Sequence, residues 1–220
     1  MSLIALKRPF SARALPGLII MLVPIIGFFA MGYKMLCCRT AMSQNYELPR
    51  WKNWKELFVF GGTARVIQGI WLAPAAIFLF LLFLKFKSIT TPDLQLLNDI
   101  RNLFIYLIAC LIIAAVFMPA SVMNYIAEAR FKAAFSFSVL KRMACKAYLL
   151  GWLAAGLYTT ACAAILFGFF SLIGNLVLTQ STLLITMLVL PVELILLWLP
   201  GITVWTLLGE AWGKAISRRV

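Results

Sequence analysis

The sequence predicts an all-α, polytopic transmembrane helix bundle: four spans plus a re-entrant or kinked N-terminal helix, with two cytoplasmic interfacial amphipathic helices. Three observations predict it. The chain of 220 residues is 64% hydrophobic and only 12% charged, too apolar to cover itself with polar surface. Four apolar stretches, near 66–86, 103–123, 148–173 and 183–208, are each long enough for a hydrocarbon core of about 30 Å, which takes roughly 20 residues. The basic residues, which bring the net charge to +13, gather at the ends of those stretches.

A fifth apolar stretch, 15–36, comes first. It follows Lys7, Arg8 and Arg13 as a secretory signal would, but at about 22 residues it exceeds an h-region and is read as retained. Pro16, Gly17, Pro24, Gly27 and Gly32 interrupt it. Pro24 removes a donor in mid-segment, so the expectation is a break that packs against the four-helix body. The Lys and Arg bias agrees with that reading. If 15–36 enters and leaves on one side, only Lys85, Lys87 and Arg101 lie outside, and 17 of the 20 basic residues share the inner face. Both termini are then cytoplasmic, in a cell (inner) membrane or an internal energy-transducing membrane. Short alternating segments of the barrel type are absent, so the spans are helical.

The first inner connection carries Trp51, Trp54, Leu57 and Phe58 at helical spacing, with Lys52, Asn53, Lys55 and Glu56 elsewhere. Indole rings at headgroup depth with ammonium groups toward water describe an interfacial helix. Pro49 suits its first turn, and Gly61 and Gly62 would let the chain bend into the first span. The second connection places Phe135 and Phe137 ahead of Lys141 and Arg142, a weaker pattern of the same kind. The chain is thus a single transmembrane domain, 1–220, with an internal pseudo-repeat over approximately 48–126 and 127–214.

These residues also carry a resemblance. Leu48-Pro49-x-Trp51-x-x-Trp54-x-x-Leu57-Phe58-x-x-Gly61, preceded by Gly32-Tyr33, and Tyr125-x-x-Glu128-x-x-Phe131-x-Ala133-Ala134-Phe135-x-Phe137 resemble the uncharacterised bacterial and archaeal membrane proteins grouped as domain-of-unknown-function family 4013. With the closing Gly209-Glu210-Ala211-Trp212, the resemblance spans about 15–214. The family tends to be acidic after the first tryptophan, whereas this chain has Lys52 and Lys55, which argues against a cation site there. The resemblance implies a membrane location and supplies no activity.

Little in the sequence points to chemistry. There is no histidine, no C-x-x-C and no acidic pair on an accessible loop, so neither an enzyme nor a metal or cofactor site is expected. Five cysteines, an odd count, are read as reduced thiols, with acylation at Cys37 or Cys38 as an alternative. Glu193 is the acidic residue embedded in an apolar run, the candidate intramembrane polar site. Its depth depends on whether the last span begins at Leu183 or at Pro191. Gln68, Asn124, Thr159, Thr160 and Asn175 are expected to bond between helices, and the small residues Ala154, Ala155, Gly156, Ala161, Ala163 and Ala164 to allow close packing. The expected partners are membrane lipids and other integral membrane subunits, with no nucleic acid, because no aromatic and basic domain stands outside the spans. The expected role is that of a non-catalytic accessory subunit or lipid-surface organiser. A small transporter or channel built on Glu193 is the competing reading.

Overall fold

A computed structural model describes residues 3–14, 16–21, 27–87, 94–177 and 182–217, and among these the secondary structure is entirely helical. The N-terminal segment contains α1 (Leu3–Lys7), two 3-10 turns (Arg8–Phe10 and Ala12–Ala14) and α2 (Pro16–Met21). A 16-residue helix follows, α3 (Gly27–Met42). Two long hairpins make up the rest: α4 (Trp54–Lys87) with α5 (Leu94–Glu128), and α7 (Lys146–Val177) with α8 (Thr182–Ser217). Between them lie a 3-10 helix (Phe131–Phe135) and the seven-residue α6 (Phe137–Met143).

Among the described residues three helices are long and apolar enough to cross a membrane, namely 54–87, 96–128 and 146–169, so the protein is membrane-embedded. No more than 17% of any of those apolar windows is buried against the rest of the protein. Leu79, Phe83, Phe104, Ile112, Leu157 and Phe167 are among the side chains left bare, as lipid-facing surface should be.

The core is concentrated where the helices converge on α3. One of its sides packs Met31, Met35 and Cys38 with Phe60 and Ala64 of α4, Met123 and Ile126 of α5, and Trp205 and Trp212 of α8. Its other side packs Tyr33 and Cys37 with Leu57, Trp198 and Ile202. Buried residues fall on both sides of α3, which is therefore enclosed by the other helices. It runs in the same direction as α8, since Lys34, Cys38 and Met42 meet Gly201, Gly209 and Gly213 in turn. Residues 8–14 run the opposite way beside both, because Arg8 is level with Cys37 and Thr206, and Ala14 with Trp198.

The connection before α4 departs from expectation. No separate interfacial helix forms over 48–58, and Pro49 lies outside any helix. Helix α4 starts at Trp54 and continues unbroken through Gly61 and Gly62. The reason is local. The Asn53 carbonyl accepts the Leu57 N–H at 3.0 Å, and the Asn53 amide reaches Glu56 at 3.3 Å, which makes Asn53 the N-cap with an acidic residue three positions on. Gly61 serves close approach instead of a bend: a Cβ there would collide with the Phe28 carbonyl, and one on Gly32 with the Leu57 carbonyl.

The small residues of α7 also behave differently. Ala155 is buried, but a Cβ on Gly156 would meet nothing, and Ala161, Ala163 and Ala164 are exposed. Thr159 and Thr160 bond back to Ala155 and Gly156 within their own helix, where bonds between helices were expected. Close packing falls to Gly209 and Gly213 of α8, a small-xxx-small pair whose Cβ positions would strike the Cys38 and Met42 carbonyls. Helix α8 is continuous past Pro191, so Glu193 lies within a helix and not at its start. Pro24, the expected break, the side chain of Asn175 and the side-chain surroundings of Glu193 lie outside the described residues.

Candidate membrane-interface and N-terminal sites

The tryptophan-rich connection divides between inside and outside. Trp51 is stacked on Tyr33 with ring centroids 4.2 Å apart, and its indole N–H donates to the Arg13 carbonyl at 2.8 Å. Trp198 donates in the same way to the Ala14 carbonyl at 2.9 Å. These two indoles clasp the N-terminal segment onto α3 and α8. Leu57 is fully buried. Trp54 and Phe58 face outward, braced by Phe29 at 5.4 Å from each.

The phenylalanine-rich connection presents more apolar surface. Phe137 is 83% exposed, and Phe131, Phe135 and Leu140 are exposed beside it. Arg130, Lys132 and Lys141 are exposed on the same short stretch. Its shape is held from beneath by Asn124, which is fully buried near the end of α5. The Asn124 amide donates to the Ala133 carbonyl at 2.7 Å and to the Ser136 and Ser138 hydroxyls at 3.2 Å each. Arg142 donates to the Asn124 carbonyl oxygen and pairs with Glu128 at 3.0 Å, so it serves as a brace. Between this connection and the hairpin is a cleft of about 220 Å³ floored by Trp71 and Phe117. Asn124 thus braces a turn and does not bond between spans, and an isolated Asn in an apolar helix carries no sequence signal for that.

Arg8 is the functional-looking residue that sequence reasoning missed. It was counted with the solvated inner charges, yet it is only 5% exposed. Its guanidinium donates to the Cys37 carbonyl at 2.9 Å, the Glu47 carbonyl at 2.8 Å, and the hydroxyls of Thr206 and Thr40. Burial pushes its pKa below the ordinary value, while the guanidinium, too basic to lose its proton in a protein, keeps its charge. Nothing in an Arg-Pro pair near a terminus announces such a position.

Cys37 and Cys38 are fully buried in α3, so the acylation alternative fails for want of access. Among the described residues no group of His, Cys, Asp and Glu is placed to hold a metal ion.

The family described as "Protein of unknown function (DUF4013)" matches residues 16–178, most of the chain, and the chain belongs to it. The closing Gly209–Trp212 motif lies beyond that match. No curated protein and no solved structure matches the chain.

Proposed function

From that family membership, which brings no activity with it, we propose that the protein is a non-catalytic organiser of the cytoplasmic lipid surface. Four spans carry two connections of which the second, 129–145, lies in the headgroup region. The observation that carries the reading is the exposed Phe131, Phe135, Phe137 and Leu140 alongside basic residues, on a turn that Asn124 and Arg142 hold rigid. Aromatic rings seated at the acyl boundary and cations among anionic headgroups are the two attractive terms such a surface offers.

Length supports α8 as the fourth span: 36 residues extend about 54 Å, well beyond a hydrocarbon core. The opposed courses of residues 8–14 and α3 support a first segment that returns to the side it came from. Placing the pseudo-repeat boundary near 126 leaves one hairpin in each half, with α3 as the element both share.

Depth measurement tests the reading. A spin label at Phe137→Cys, in full-length protein reconstituted with anionic lipid, should be relaxed by dissolved oxygen more than by a water-soluble nickel chelate. The reverse ranking, that of a residue in bulk water, would remove the organiser from consideration.

A further inference from the structure

A buried charge ordinarily has a counter-charge, because taking an uncompensated one out of water is costly. Arg8 has none among the described residues. The acceptors of its guanidinium are two backbone carbonyls and two hydroxyls, all neutral. The ion pairs, Arg39 with Glu56, Lys85 with Asp99, Arg142 with Glu128 and Lys214 with Glu210, all pass it by. Its Nε is buried with no hydrogen-bond partner. The segment nevertheless folds inward around this charge instead of leaving it in water.

Beside Arg8 opens a cleft of about 480 Å³ lined also by Lys7, Ser11, Arg13, Tyr46 and Glu47. Three cations and the Ser11 hydroxyl accompany one carboxylate there, the Tyr46 hydroxyl being engaged by Glu210, and Glu47 gives Arg8 its backbone carbonyl, not its side chain. The Arg8 guanidinium is fixed by four bonds, while Lys7 and Arg13 are exposed, Arg13 donating to the Leu48 carbonyl at the rim at 3.4 Å. A fixed charge flanked by two exposed ones suits a compact dianion with several acceptor oxygens.

We propose that this N-terminal cleft is an anion site for a phosphate monoester group, which supplies the counter-charge that the chain withholds from Arg8. Such a group can come from a lipid headgroup in the cytoplasmic leaflet or from a soluble phosphorylated compound. The site is independent of the phenylalanine-rich connection and stands even if that surface does not touch lipid.

Thermal unfolding of the purified full-length chain tests it in two settings. In neutral detergent, inorganic phosphate is titrated against sodium chloride at matched ionic strength. In nanodiscs, neutral phosphatidylcholine is compared with the same lipid containing phosphatidic acid. The expected result is a saturable rise in melting temperature that chloride does not reproduce. In the Lys7→Ala/Arg13→Ala variant the apparent affinity should fall about tenfold or more, since two charge-assisted contacts are lost. Both substituted side chains are exposed and the variant loses only the long Arg13–Leu48 bond, so it should melt close to the wild type in chloride. A rise in detergent supports a soluble source, and a rise confined to phosphatidic acid supports a headgroup. No rise in either setting, or one the double variant retains in full, would overturn the site.

Discussion

Pro119 lies inside α5 and has no N–H, so the carbonyl four residues back, on Ala115, has no helical donor. Trp152 of α7 supplies one, its indole N–H meeting that oxygen at 3.0 Å. Tyr148, one turn earlier, reaches the neighbouring Val116 carbonyl at 3.4 Å. The two hairpins therefore touch where a proline has opened the backbone. Trp152→Phe should cost about 1 kcal/mol beyond its lost packing, the usual net worth of one hydrogen bond. In a Pro119→Ala background that extra cost should vanish, because alanine restores the native donor. A double-mutant cycle on unfolding free energy reads the coupling directly, and a coupling of zero would mean the indole bond contributes nothing.

At the scale of elements, α3 meets α4 and α8 through glycine. Any side chain on Gly61 must displace the Phe28 backbone, which no rotamer change can relieve, whereas Gly62, one position on, faces open space. Gly61→Ala should therefore destabilise by about 2 kcal/mol or more through overpacking. Gly62→Ala should be neutral or stabilise by up to about 1 kcal/mol through helix propensity. Melting temperatures of the two variants should move in opposite directions, and a common shift would deny the close crossing. This contrast also marks what the sequence could convey. Apolar length made the long helices legible, and tryptophan and phenylalanine content located both connections. The start of α4 was legible too, in Asn53 followed by Glu56, but the tryptophan periodicity crossing that boundary obscured it. The packing role of Gly61, and the enclosure of Trp51 and Leu57, depended on α3 arriving from elsewhere in the chain, which local pattern cannot express.

For the molecule as a whole, charge placement along the first hairpin makes the strongest demand. Arg65 and Lys85 of α4 are separated by 20 residues of helix, about 30 Å at 1.5 Å per residue, the thickness of a hydrocarbon core. At the far end Lys85 pairs with Asp99 across the hairpin at 2.8 Å, and Lys87 is exposed beyond it. An ion pair and a second ammonium cannot both remain in lipid at no cost, so that end belongs in water. Lys52 and Lys132 flank the other ends of α4 and α5, on the side that holds most of the basic residues, which the proposed topology makes cytoplasmic. Cysteines introduced one at a time in a background freed of the three native cysteines that are not buried, Cys110, Cys145 and Cys162, can be probed with a membrane-impermeant maleimide. Lys87→Cys should react from outside intact cells, and Lys52→Cys and Lys132→Cys only after permeabilisation. Labelling of Lys87→Cys and Lys132→Cys from the same side would mean that α5 does not cross. The inverted pattern would place the Phe137 surface on the outer leaflet, where the electrostatic attraction to anionic headgroups that it relies on is weakest.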